Sequence, residues 1–430
     1  MRQLIRLVFC AIAITLAGTA MATDSTVISP AGRKAMAPEI AISGDGGINV
    51  IWMERTPEGE KIAAAGAASK DGHTHLAETD LWFLRSTDGG KTYGTPVRVN
   101  GTPGAVWGFP VSKPRLNATP DGTLHIFYPG NSIDKKNGKP IVLPMYTRST
   151  DGGRSFSTPV VLGTVADSDN SDIVHGGLAN AECFGTMTTD GQGGVYTYWV
   201  DTRDMGKDSP NGKLFSAVSY DNGKTFGSDF EVFPADVCPC CQATAAVYDG
   251  RIYLGSRQVS AEGNRDSTVA ISSDRGKSFQ PRARWGGAHW KIEACPLKPT
   301  SIVVDGNHVY AAAYDGGADP QGAALSRSVD GGKTFEPAVA LQPGAAVSDA
   351  PVLAMHEGKL VAVWHTKLAG ERRVFLGLSR DQGKTFSAPV ELGAGMYPVV
   401  ANRGGGLQLA WQQGDSIVTR YIAGNDALLR

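Results

Sequence analysis

The sequence predicts an all-β chain assembled from repeated four-stranded units, and three observations predict it. Its 430 residues include 54 glycines and 24 prolines but only 19% charged residues, a composition suited to short strands and tight turns. One turn pattern recurs six times along the chain. Runs of alternating apolar residues precede every copy and follow most of them.

The amino terminus, MRQLIRLVFCAIAITLAGTAMAT, reads as a secretory signal rather than as part of the fold. Arg2 and Arg6 supply the positive start, residues 7–17 an apolar run, and Ala20-Met21-Ala22 the small-residue cleavage site. The run is too short to span a bilayer. Residues 1–22 are expected to be removed, leaving 23–430 as one domain, periplasmic or secreted. Losing Arg2 and Arg6 moves the formal charge from −1 to −3. So small an excess points neither to nucleic acid nor to membrane insertion. Five cysteines remain after export, Cys183, Cys238, Cys240, Cys241 and Cys295. An odd number in an oxidising compartment leaves at least one thiol without an intramolecular disulfide partner.

The repeated turn reads Ser-x-Asp-x-Gly-Lys/Arg-Thr/Ser-aromatic. Its copies are STDGGKTY (86–93), STDGGRSF (149–156), SYDNGKTF (219–226), SSDRGKSF (272–279), SVDGGKTF (328–335) and SRDQGKTF (379–386). Flanking strand-like runs make each copy a hairpin turn. Asp and Ser can accept backbone N–H groups there, Gly permits a positive φ, and the aromatic ring can pack inward as a plug. The carboxylates of Asp88, Asp151, Asp221, Asp274, Asp330 and Asp381 are therefore expected to be structural rather than calcium ligands.

This pattern resembles the Asp box of the sialidase-like (BNR-repeat) β-propellers, over essentially the whole mature chain. The resemblance implies a single β-propeller. A second strand of alternating character precedes each box, as in INVIWME (48–54), VYTYWVD and LVAVWHT, and an inner strand precedes that, as in PEIAIS (38–43) and ATAAVYD (243–249). A seventh unit, YPVVANR (397–403), LQLAWQQ (407–413) and SIVTRYI (416–422), lacks its outermost strand. STVISP (25–30) is expected to supply it, closing a ring of seven four-stranded blades. Sialidases have six, and a six-bladed count is the alternative.

In a propeller the box turns lie on the bottom and the longest connections on top, here 56–79, 129–143, 202–213 and 259–267. All five mature cysteines fall at the starts of inner strands on three adjacent blades, at the top of the central channel. His175 and His289 lie in the loops just before two of those strands. Three uses are open. Inter-blade disulfides to Cys183 and Cys295 would staple the ring and leave one thiol over. A soft-metal site would use the thiolates with His175 or His289, taking copper, or zinc as the alternative. A redox-active pair is the third. The combination VCPCCQ and HWKIEACP also looks like one found in uncharacterised bacterial sialidase-like proteins.

Kinship with sialidases would imply three substrate-binding arginines, a Tyr nucleophile activated by Glu, and an Asp acid/base. The expected R-I-P motif is missing from GRKAMAPEIAI, although Arg33 lies near the right place. Arg115 in KPRL, Arg203, Arg257 and Arg284 lie near top-face strand ends without forming a recognisable triad. Tyr397, Glu182 and Glu293 are candidate channel groups. The expected function is an exported, non-hydrolytic propeller whose top-face Cys/His cluster binds a soft metal. The alternatives are an exo-sialidase-type glycoside hydrolase or carbohydrate-binding protein, and a disulfide-stapled protein-interaction scaffold. A small ligand, a glycan or a protein would then occupy the top face.

Overall fold

The computed structural model describes residues 25–61, 78–164, 180–206, 210–280, 282–294, 296–318, 321–344 and 348–430. The expected signal peptide, His175 and Cys295 lie outside them. The described chain is almost wholly β, and none of its helices is long and apolar enough to cross a membrane.

Each repeat folds as the alternating pattern requires. The fourth unit runs Thr244–Tyr248, Arg251–Val259, Arg265–Ser272 and Arg282–Arg284, each strand antiparallel to the last. The fifth and sixth repeat this order, beginning at Thr300–Asp305 and Ser348–His356. In the last unit Thr26–Val27 pairs with Ser416–Ala423, Thr26 opposite Thr419, so the amino-terminal segment supplies the missing outer strand. The first three units are not separate. Val106–Trp107 bridges the first to the second, and Asn180–Thr189 pairs in parallel with Pro140–Ser149, giving one branched sheet of thirteen strands beside four sheets of four. None of the sheets closes on itself.

The innermost strands pack beside one another in succession. Ala35–Ile42 lies beside Arg115–Ala118, which lies beside Asn180–Thr189, then Thr244–Tyr248, Thr300–Asp305, Ser348–His356 and Met396–Arg403, and the last also packs against Ala35–Ile42. A succession of radially repeated sheets whose inner strands return to their start is a β-propeller-type fold.

The six turns are built alike. In the fifth, the Ser328 hydroxyl donates to Asp330 Oδ1 at 2.7 Å, the Thr334 amide to the same oxygen at 3.0 Å, and the Thr334 hydroxyl to Oδ2 at 2.6 Å. The Gly332 amide donates to Ser328 Oγ at 2.8 Å. Both carboxylate oxygens are thus used inside the turn. The aromatic that follows leaves its own sheet and packs on the preceding one: Phe156 against Phe83 at 5.4 Å, Phe226 against Tyr146 at 4.7 Å, and Phe279 against Tyr198 at 5.7 Å between ring centroids. Gly153, at φ +86°, lies so close to Phe83 that a Cβ would sit 2.0 Å from its ring, so both conformation and contact require glycine.

These turns carry a pH signature. Hydrogen bonds from Thr92, Ser155 and Thr385 hydroxyls, with amides of the same turns, hold Asp88, Asp151 and Asp381 at about 2, against an ordinary 3.8. A carboxyl whose pKa falls on folding stabilises the fold above its unfolded value and loses that contribution as pH drops through the folded value. The melting temperature is expected to hold from pH 7 to about 4 and to fall steeply between about 4 and 2. Asp381→Asn should start lower at neutral pH and fall less steeply. A melting temperature independent of pH below 4 would contradict this assignment.

Candidate functional site

Antiparallel pairing sends the six box turns to one end of the sheets and the starts of the inner strands to the other. At that second end the regular ladder breaks. Bulges lie between Met36 and Glu39, Cys183 and Thr186, Asp349 and Val352, and Met396 and Val399. Each contains a non-glycine residue at positive φ, Ala37 (51°), Phe184 (51°), Ala350 (47°) and Tyr397 (53°). Such strain persists only where surroundings enforce it, and bulges re-aim the side chains beside them.

The fourth unit departs furthest from the expectation. Cys238, Cys240 and Cys241 were expected at the start of the inner strand, where alternation of side chains would turn Cys241 away from the other two. That strand instead begins at Thr244, and the cysteines form a turn before it. Pro239 presets φ at the first corner, and the Cys241 amide approaches the Cys238 carbonyl at 3.5 Å across the turn. The Cys238 amide is held by the Arg257 carbonyl at 2.8 Å, and the Ala243 amide by the Phe184 carbonyl at 3.0 Å. Turning rather than extending brings all three sulfurs to one side. Their Sγ atoms lie within 4.8 Å of one another, with Cys238 and Cys240 3.5 Å apart, and all three residues are buried.

Electrostatics distinguish these thiols. The Cys238 thiol is pushed well below its usual range, first by the Cys240 thiol and then by Cys241, with Arg265 nearby. Burial pushes Cys241 up to about 12. The turn therefore favours negative charge on Cys238 over Cys241. Arg257, 3% exposed, stands beside Cys241 and also lowers its pKa. Its Nη1 donates to the Arg265 carbonyl at 2.8 Å and its Nη2 to the Tyr314 carbonyl at 3.1 Å, while the guanidinium lies 5.1 Å from the Trp290 ring centre. Among the described residues no carboxylate forms an ion pair with Arg257, and its charge acts on Cys241.

The other sequence candidates separate. Cys183 is a free thiol in the same apolar cluster, outside the group of three converging sulfurs, and burial raises it well above its usual range. Cys183, Cys238, Cys240 and Cys241 are all free, so the bridge expected at Cys183 is not formed. His289 is largely exposed and bonded to Asp266, away from the sulfurs. Glu182 is fully buried, and burial followed by the Asp201 carboxylate pushes its carboxyl up to about 9. Arg203 nearby is taken by Asp201 at 2.6 Å and Asp229 at 2.7 Å.

Two groups escaped the sequence reading. Gln242, 2% exposed, reaches from the fourth unit across to the second and third. Its Nε2 donates to the Lys113 and Gly185 carbonyls, each at 2.8 Å, and its Oε1 accepts from the Lys113 amide at 3.3 Å. Lys113, 5% exposed, points its side chain towards the Tyr397 ring. For Lys113 a signal was available: Ala37-Pro38, Lys113-Pro114, Ala350-Pro351 and Tyr397-Pro398 mark the same register in four units.

No protein-family model matches the chain, and no curated protein does. Among solved structures it is similar to a protein of unknown function from Dyadobacter fermentans, 15% identical over 92% of this chain and 97% of that one, with a TM-score of 0.50. It is also similar to the α-L-arabinofuranosidase ARB93A from Fusarium graminearum, 14% identical over 83% of this chain and 97% of that one, with a TM-score of 0.50. An intramolecular trans-sialidase from Ruminococcus gnavus aligns over 94% of this chain and 98% of that one, at 14% identity and a TM-score of 0.47. At such identities the likeness concerns the fold.

Gln242 ties three units through backbone groups that nothing else can reach. Gln242→Ala should lower stability by about 2–4 kcal/mol, because it leaves buried carbonyls without donors. Denaturant unfolding measures this, and a loss below about 1 kcal/mol would mean that solvent replaces the amide.

Proposed function

We propose that this chain is an exported metal-binding propeller whose Cys238-Pro239-Cys240-Cys241 turn holds one soft, thiophilic ion, copper(I) before zinc. The observation that carries the reading is the convergence of three buried sulfurs within 4.8 Å. A metal–sulfur bond of about 2.3 Å would set three sulfurs about 4 Å apart in a trigonal shell, between the 3.5 Å of Cys238–Cys240 and the 4.8 Å within which all three lie. Thiolate donors favour copper(I), and burial would exclude competing water ligands. Three thiolates and one copper(I) carry two negative charges, and Arg257 and Arg265 stand beside the sulfurs as the matching cations. Cys183, Cys295, His175 and His289 belong to the wider cluster proposed from sequence; the three-sulfur turn is its centre.

The proposal includes a seven-bladed ring, supported by the succession of inner strands that returns to its start and by the pairing of Thr26–Val27 with the last unit. It also includes removal of residues 1–22 on export, supported by their signal-like composition. A glycoside hydrolase or carbohydrate-binding protein is the second reading, favoured by the fold shared with an arabinofuranosidase. A protein-binding scaffold would use the same face without the metal.

Purified protein titrated with copper(I) against a competing chelator should take up one equivalent. Cys240→Ser should weaken binding by more than about 100-fold, beyond what loss of an outer-shell partner costs. Stoichiometric binding that survives Cys238→Ser, Cys240→Ser and Cys241→Ser in turn would overturn the site. Turnover of sialosides or arabinosides by metal-free protein would establish the hydrolase instead.

A further inference from the structure

The thiol turn is pinned through its backbone on both sides. Ahead of it, the Val237 amide donates to the Gly212 carbonyl at 2.9 Å and the Gly212 amide to the Val237 carbonyl at 3.1 Å. The Cys238 amide is held by the Arg257 carbonyl at 2.8 Å. Behind it, Gln242 bonds to Lys113 and Gly185, and the Ala243 amide to the Phe184 carbonyl at 3.0 Å. The second, third and fourth units together fix the path of the cysteine backbone. Rotation about the Cα–Cβ bonds is the freedom left to the sulfurs.

The sulfur spacing lies between two chemical states. A shared ion sets thiolate sulfurs about 4 Å apart, whereas a disulfide brings two of them to about 2 Å. The Cys238 and Cys240 sulfurs stand at 3.5 Å, within reach of either state by side-chain rotation. Cys240 and Cys241 are adjacent in the chain, and adjacent cysteines bridge only with strain. Cys183 lies in the same apolar cluster but outside the group of converging sulfurs. Cys238 and Cys240 are 1% and 6% exposed, so an oxidant that reaches them is a small peroxide rather than a bulky disulfide.

We propose that Cys238 and Cys240 are an oxidative modification site: in the metal-free protein a peroxide closes them into a disulfide, which abolishes the soft-metal site. The inference rests on the metal-binding reading of the same turn. One thiol attacks an oxygen of hydrogen peroxide, the oxygen–oxygen bond breaks, one water leaves, and a sulfenic acid remains. The second sulfur attacks the sulfenic sulfur, the sulfur–oxygen bond breaks, and a second water leaves. Two thiols and one hydrogen peroxide give one disulfide and two waters, the two electrons passing from sulfur to oxygen. A disulfide sulfur is no thiolate ligand, and Cys241 is then the one thiol left in the turn. Metal loading and oxidation compete for the same sulfurs.

Reduced, metal-free protein is treated with hydrogen peroxide and digested without reductant. The peptide carrying the turn should lose the mass of two hydrogens, with the link placed between Cys238 and Cys240 by fragmentation and Cys241 still open to alkylation. Cys241→Ser should form the same link. After desalting, the oxidised protein should take up no copper(I) in the turn, against one equivalent for the reduced protein, and dithiothreitol should restore uptake. Retention of every thiol, a link from Cys241 or Cys183 to Cys238, or oxidation straight to sulfinic acid would overturn the proposal. So would copper(I) uptake undiminished by the disulfide. The two readings fail separately. Copper(I) binding without a disulfide removes this inference and leaves the metal site, whereas a disulfide in a protein that never takes copper(I) removes the metal site and the coupling with it.

Discussion

The contact on which the structure depends is the aromatic side chain that each box turn sends into the neighbouring sheet. A four-stranded sheet has two faces to cover and cannot cover them alone. The turn solves this locally. Asp, Ser and Thr exchange hydrogen bonds within the turn, which fixes its shape without outside help, and the ring at its end is then aimed across the seam. Phe156 on Phe83, Phe226 on Tyr146 and Phe279 on Tyr198 repeat one packing event. Tyr93 continues the series to the last unit, where its hydroxyl meets Thr419 at 3.3 Å. The same Thr419 lies opposite Thr26, so seam and strand addition meet at one place.

Fixing the seams at one end leaves the opposite end free to be irregular. Bulges and positive φ values gather there because the sheets no longer need a perfect ladder once their other ends are locked. Side chains at the starts of the inner strands can then face each other rather than their own strands. Gln242 exploits this by bonding to two other units, and Arg115 by reaching Glu39 at 3.0 Å. The cysteine turn belongs to the same zone.

Two features there run against stability. Three thiols are crowded into one buried turn beside Arg257, and Lys113 is 5% exposed with no ion pair among the described residues. Both are expensive on elementary electrostatic grounds. Local rules that a sequence breaks without compensation are commonly broken for function. The thiol turn and the lysine are separate cases of it, held by different units.

The repeats and the order of strands within a unit were legible in the sequence because each is carried by neighbours in the chain, and the donation of the amino-terminal segment because the last unit visibly lacks a strand; the merging of the first three units was not. Alternation specifies a strand, and Ser-x-Asp-x-Gly specifies its own turn. The clustering of Cys238, Cys240 and Cys241 was legible as proximity but not as geometry. Strand alternation predicts divergent sulfurs, and only the turn at Pro239 makes them converge. The isolation of His289 was not legible, since it depends on Asp266, 23 residues away. Lys113 was invisible for a related reason. Its surroundings are set by long-range contacts, since Glu39, Asp349 and Tyr397 are assigned their partners only when distant units are packed together. Local pattern determined the architecture; the charges and thiols depended on long-range contacts, because burial and pairing are properties of the assembled chain.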